Sequence, residues 1–384
     1  MTSHQSISRA LVHEGAVFDA HADSLQRALD LGHDLGTVTT GHLDLVRGRR
    51  GGVGAQVFVC WVDPAFMAAE LGGAARRTDA LLGEFHKLLE RHSDQLAWCG
   101  NGQHLRAARE QGLIAGIPGI EGGHSIEEDL GKLEHFFDHG VRVMTLVWNN
   151  HLPWIRSCQE GAGAGVPAGL SPFGREVVEH MNELGMVVDL AHAGERSFYD
   201  ALEVSRVPVL ASHSGCSAQN AHPRNLSDGQ LRALAQAGGV ACMVFCTPFL
   251  DAAAQAAERA ARKLPSYRAL QGENETALFL AQSRYLQQEL KPLPMQRFID
   301  HLLHAVEVCG IEHVGLGSDF DGIQRTPEGL EDAAAYPNLM DALVERGFGI
   351  DDLRLLMGGN VARVFAAATG PGTRAHSASL VAFA

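Results

Sequence analysis

The segment VFDAHADS, residues 17–24, turns an apolar run into three polar residues spaced two apart, Asp19, His21 and Asp23. Side chains on a strand alternate faces, so all three would project the same way. Two carboxylates and an imidazole on one face are costly to bury, and a metal ion is the obvious compensation. Residues of the same chemistry end other apolar runs. Glu121 ends LIAGIPGIEG, His192 ends MVVDLAH, His213 ends VPVLASH and Asp319 ends HVGLGSDF.

Three imidazoles and two or three carboxylates exceed the needs of one Zn²⁺. They suit two ions roughly 3.5–4 Å apart. His21 and Asp23 would hold one ion, His192 and His213 the other, and Glu121 would bridge them together with a hydroxide. The expected cofactor is Zn²⁺, two per subunit; nitrogen and oxygen donors also suit Mn²⁺, Co²⁺ or Fe²⁺. A carboxylated lysine, a common bridge in such sites, has no candidate, because Lys87, Lys132, Lys263 and Lys291 all lie away from strand ends. Asp19 lies deeper in its strand and reads as structural, and Asp321 reads as shaping the loop after Asp319.

A frame must bring these ends together. The segments VFDAH (17–21), VGAQVFVC (53–60), LIAGIPGIEG (113–122) and VRVMTLVW (141–148) read as buried strands. So do MVVDLAH (186–192), VPVLASH (207–213), GVACMVF (239–245) and HVGLGSDF (313–320). Near-continuous apolar runs of this kind belong to strands covered on both faces. Helical patterns lie between them: AARRTDALLGEFHKLLERH, SPFGREVVEHMNELG, SFYDALEVS and SDGQLRALAQAG. The last opens on a capping box of Ser227 and Gln230. The alternation predicts an α/β fold, a (β/α)₈ TIM barrel, with the metal site at the C-terminal end of the strands. A doubly wound open sheet would carry a glycine-rich phosphate loop at its first strand–helix turn, where this chain has AHADSLQ. GAGAGVPAG, 161–169, follows a loop and reads as a flexible one itself. One barrel domain is expected over 1–369, with a helical insertion around 247–295 and a C-terminal extension over 370–384.

With 384 residues, 46% of them hydrophobic, the chain can build one large core. A net charge of −14 disfavours nucleic acid and anionic membranes as partners. The seven cysteines form no C-x-x-C pair and suggest no disulfide framework; Cys242 and Cys246 read as buried thiols. A cytoplasmic setting fits. MTSHQSISRALVHEG lacks the parts of a signal peptide, and GVACMVFCTPFL is too short to span a bilayer.

The chain resembles the renal dipeptidase (membrane dipeptidase) family of zinc metallopeptidases. The matching segments are FDAHADS, GIEGGHS, VDLAH, ASHSGCSAQNAHPRNLSD, VGLGSDFDGIQRTPEGLEDAAAYPNL and GGNVARVF, in the family's order from near 17 to near 366. HPRNLSD and GSDFDG followed by PEGLED are the specific ones. The resemblance implies a binuclear zinc barrel that hydrolyses dipeptides, often with a D-residue at the C-terminal side. It places the metal ligands on His21, Asp23, Glu121, His192 and His213, the catalytic aspartate on Asp319 and the substrate-carboxylate arginine on Arg224. One departure concerns a segment like LTHxxxNxPW after the fourth strand. Here it reads TLVWNNHLPW, with Trp148 in the histidine's place and His151 three residues on. Trp148 and Asn149 are expected to contact substrate. A pocket tyrosine of the mammalian enzymes is replaced by Cys246 or a neighbour. Membrane anchoring is not expected to carry over, and a homodimer is plausible. The expected function is dipeptide hydrolysis by a metal-bridged hydroxide. The alternative is a binuclear metal amidohydrolase acting on another amide, a lactam or a modified amino acid, and Trp148 is the feature favouring it.

Overall fold

The computed structural model describes residues 3–370, so the expected extension, apart from Gly370, lies outside the described residues. Eight strands form the central wall: β1 Val17–Ala22, β2 Val53–Trp61, β3 Ile114–Glu121, β4 Val143–Thr145, β5 Val187–Asp189, β6 Leu210–Ser214, β7 Val240–Met243 and β8 Val314–Leu316. Each pairs in parallel with the next, and β8 returns to β1 with Leu316 opposite Asp19, closing the ring. This is the (β/α)₈ barrel. Parallel strands need crossovers, and the helices that supply them cover the outer face.

The helices start and stop where the local chemistry requires. Pro172–Leu184 begins after Ser171, whose side chain accepts from Gly174 N, and ends at Gly185 in the left-handed region, φ 83°. Asp228–Gln236 carries the complete capping box of Ser227 and Gln230. After β7 come the helices Thr247–Leu250, Ala252–Ala261, Pro265–Arg268 and Glu275–Glu289, then the outer helix Met295–Cys309.

Two differences from the sequence reading have physical causes. The ladders are shorter than the apolar runs: β4 keeps only Val143–Thr145 of 141–148, and β5 only Val187–Asp189 of 186–192. Beyond the ladders, Leu146, Val147, Leu190 and Ala191 stay buried on the way to the mouth, where Trp148 is partly exposed. A ninth strand, Leu96–Trp98, pairs with Ile114–Gly116 of β3. β4 meets β3 only from Gly119 onward, which leaves the lower edge of β3 for this short segment. Three residues give too little pattern to be read as a strand.

Beneath the mouth, buried polar groups satisfy one another. Asp19 accepts from Ser318 N at 2.8 Å and Ser318 Oγ at 2.6 Å, tying β1 to the end of β8. Asp321 accepts from Arg27 Nη2 at 2.7 Å, from His42 N at 2.7 Å and from the Ser24 hydroxyl. It thereby joins the loop after β8 to the helix Leu25–Leu31 and the loop beyond it. Burial disfavours the Asp321 charge, but Arg27 and His42 overcome it and bring its carboxyl down to about 2. Asp321→Asn leaves Arg27, 1% exposed, as an uncompensated buried charge. We expect a loss of about 3–5 kcal/mol in urea unfolding at neutral pH. Because the folded carboxyl titrates below its unfolded value, the pair's contribution should be present above the ordinary aspartate range and fade as pH falls towards 2.

Candidate metal centre

The polar residues at the strand ends meet at the barrel mouth. His21 lies in β1 and Asp23 just beyond it, Glu121 is the last residue of β3, and His213 lies in β6. His192 and Asp319 come three residues after β5 and β8 end, not on the strands themselves. Both adopt left-handed backbone, φ 64° and 61°, a region uncommon for non-glycine residues. The early strand ends and sharp turns carry both side chains into the cluster. All six are buried, with exposures of 8% or less.

The donor atoms gather around Glu121, and those of His21 and His213 lie within 4.8 Å of it and of each other. His21 Nε2 lies 3.5 Å from Asp23 Oδ2 and 3.6 Å from Glu121 Oε2. Glu121 Oε1 lies 2.8 Å from His192 Nε2 and 3.3 Å from His213 Nε2, and those two nitrogens are 3.0 Å apart. Donors about 2.0–2.1 Å from a tetrahedral ion would be roughly 3.3 Å from one another, so the spacing fits. Asp319 joins His21 and Asp23 in a set whose donor atoms all lie within 4.8 Å. His21 Nε2 and Asp23 Oδ1 are buried with no hydrogen-bond partner, as ligand atoms awaiting a cation would be.

The far sides of the imidazoles are also arranged for ligation. His213 Nδ1 lies 2.8 Å from Ser212 Oγ, which donates to Asp189 Oδ2 at 2.6 Å. His192 Nδ1 lies 3.0 Å from Asn149 Oδ1. Acceptors at Nδ1 place the hydrogen there and leave Nε2 as the lone pair facing the cluster. Ser212 and Asp189 escaped the sequence reading. Their only signal was adjacency, Ser212 before His213 and Asp189 three before His192.

Electrostatics sort the groups further. Burial opposes charge on His21, yet Glu121 and Asp23 hold its imidazole well above the ordinary range. Burial pushes Asp23 up to about 6, with His21 offsetting part of the shift. Asp319 is also pushed well up by burial, and Asp23 and Glu121 add to this against His21. Burial penalises Glu121 too, but His21 foremost, with the imidazoles of His192 and His213 beside it, keeps its carboxyl well below the usual range. Burial, helped by Arg224, lowers His192 to about 3, and burial with His21 lowers His213 strongly. Neutral imidazoles beside an ionised carboxylate are the forms that bind metal.

The cluster floors a chamber of about 760 Å³. Trp61, Phe66 and Trp148 line one part of it and Arg224, Cys246 and Phe249 another. Trp148 stands edge-on to Trp61, centroids 5.2 Å apart, and 6.1 Å from the His192 ring. Arg224 is 4% exposed, donates from Nη2 to His213 O at 2.9 Å and lies over the Phe249 ring. His151 is absent from the chamber lining; its Nδ1 accepts from Ser157 N within the loop after β4. Asn149 lines the chamber, but its side-chain oxygen is turned to His192.

Imidazoles and carboxylates gathered at the mouth of a closed parallel barrel define a metallohydrolase. The model of the membrane dipeptidase family, peptidase family M19, matches residues 5–379, and the chain belongs to that family. It is a hydrolase, a metal-dependent dipeptidase by family. A protein of Schizosaccharomyces pombe described as an uncharacterised dipeptidase is 33% identical over 335 residues, 85% of this chain and 72% of that one. Among solved structures, dipeptidase AC, a metallo peptidase of family M19, superposes with a TM-score of 0.76 at 26% identity, covering 92% of this chain and 98% of its own. A Rhodobacter sphaeroides metallo peptidase liganded with a phosphinate mimic of the dipeptide L-Ala-D-Ala gives 0.75 at 25%, covering 92% and 99%. Among the described residues, no helix is long and apolar enough to cross a membrane.

Chelator treatment should leave Asp23 and Glu121 without their cation and lower the thermal midpoint by several degrees, reversibly on adding Zn²⁺. At free metal a hundredfold above Kd the linkage is about 2.7 kcal/mol. A midpoint indifferent to metal would show that the cluster holds none.

Proposed function

We propose that His21 and Asp23 would hold one Zn²⁺ ion and His192 and His213 a second, with Glu121 shared between them. One observation carries this reading: the two oxygens of Glu121 face two different sets of donors. When bound, such a pair would supply a Lewis acid for the scissile carbonyl and a water whose pKa is lowered to about 7.

The chain's own residues do the rest. Arg224 holds the substrate's C-terminal carboxylate. Its buried position, the Phe249 ring beneath it and the anchoring bond to His213 O fix the guanidinium, and its buried Nε has no partner. A carboxylate received there sets the distance to the scissile bond, which restricts the enzyme to dipeptides. Asp319, beside Asp23 and His21, would be ionised once bound cations offset the burial that raises it, and would then accept the proton of the attacking water and deliver it to the leaving amine. Trp148, with Trp61 and Phe66, gives the substrate side chain an aromatic wall. The relative liganded with an L-Ala-D-Ala mimic supports acceptance of a D-residue at the C-terminal side. The seven unpaired cysteines support a reducing, cytoplasmic setting.

A panel of L,L- and L,D-dipeptides against N-acyl amino acids and lactams tests the substrate class. Dipeptides should dominate, and faster turnover of lactams or acyl amino acids would overturn it. Asp319→Ala should reduce kcat by about 10²–10⁴ with metal content intact; normal turnover would remove the proton-transfer role. Arg224→Met should raise KM for free dipeptides and leave their C-terminal amides unaffected. An equal effect on both would show that Arg224 does not read the carboxylate.

A further inference from the structure

We propose that Asn149 is a positioning residue for His192 rather than a substrate contact. Held by Gln159, its Oδ1 fixes the ring with hydrogen on Nδ1 and the Nε2 lone pair on the metal cluster. The inference rests on the two-metal reading above.

His192 needs such help more than the other imidazole ligands do. His21 and His213 sit within strands, between ladder-paired residues on either side. His192 lies past the end of β5 in a left-handed turn, φ 64°. The loop after β4 supplies the missing support at two levels. Cys158 N donates to His192 O at 2.7 Å, Ser157 bridges to Ala193, and Gly194 N donates to Arg156 O at 3.0 Å. These contacts hold the backbone. The ring is held by Asn149, from the start of the same loop, whose Oδ1 lies 3.0 Å from His192 Nδ1.

Asn149 is itself clamped. Its Oδ1 also receives Gln159 Nε2 at 2.9 Å, and its backbone oxygen receives Ser157 Oγ at 3.0 Å. A carboxamide oxygen offers two lone pairs, and these two donors use both. That oxygen therefore has nothing left for a substrate. The chemistry also fixes which way the amide faces. With the amide reversed, its NH₂ would donate to Nδ1, the ring hydrogen would move to Nε2, and His192 could not ligate through the atom 2.8 Å from Glu121. The arrangement parallels Ser212 and Asp189 behind His213, but it is built from neutral amides on a loop rather than from a buried carboxylate.

The test uses the full chain, stripped with chelator and titrated with Zn²⁺ against a chromogenic competitor. The wild type should take up two ions. Asn149→Leu, which removes the acceptor, should weaken one of them by about 10- to 100-fold and leave the other unchanged. Asn149→Asp keeps an acceptor at the same place and should restore binding to within about threefold. Wild-type affinity for both ions in Asn149→Leu, or a raised KM for dipeptide with metal binding unaltered, would overturn the inference and return Asn149 to the substrate. If Asn149→Leu does not fold by circular dichroism, Gln159→Leu carries the test: weakening of one ion supports the clamp, and unchanged affinities overturn it. A wild-type chain that takes up a single ion defeats the two-metal reading itself, and the inference is then judged on that ion by the same comparison.

Discussion

A carboxylate enclosed by protein is unstable unless a charged or polar partner reaches each of its oxygens, and both oxygens of Glu121 are enclosed. One oxygen meets His21 from β1 and the other meets His192 and His213 from the far side of the ring. Only a closed barrel brings the ends of β1, β3 and β6 and the turn after β5 to one point. The left-handed turn after β5 is what carries His192 to that point. Asp19 and Asp189 are fully satisfied anchors that hold the ligand-bearing segments in register.

The segments that meet at the mouth were legible in the sequence because each is an apolar run that ends on a residue able to bind metal. FDAHAD, GIEGG, DLAH and ASH all have that form. The strands were legible for the same reason, since a strand buried on both faces has no polar alternation to dilute its signal. Where a ladder stops was not legible. Asp189 before His192, and Gly317 and Ser318 before Asp319, sit inside runs that read as continuous strands, so the departure into a turn was not marked. The strand Leu96–Trp98 was hidden by its length. Its existence depends on an edge of β3 that only the late arrival of β4 leaves open.

Residues that act through another residue were the hardest to read. Asn149, expected to contact substrate, lines the chamber and turns its side-chain oxygen to His192, while Ser212, Asp189 and Gln159 end no apolar run. Each is an ordinary residue whose meaning comes from a partner far along the chain, as with Asn149 and His192, 43 residues apart. Trp148 was easier, because it stood where a histidine was expected, and the structure places it in the chamber wall beside Trp61.

The helix Glu275–Glu289 forms part of the chamber's outer wall yet is tied to the barrel by a few polar bonds: Asn274 and Thr276 to Asp30, and Gln282 to Gln324. Floor and roof are thus built on different terms. The floor is interlocked, so a change there disturbs several strands at once. The roof hangs from side chains that can be exchanged singly, which makes it the part of the molecule where a lineage, or an engineer, can try new specificities while the chemistry below stays intact.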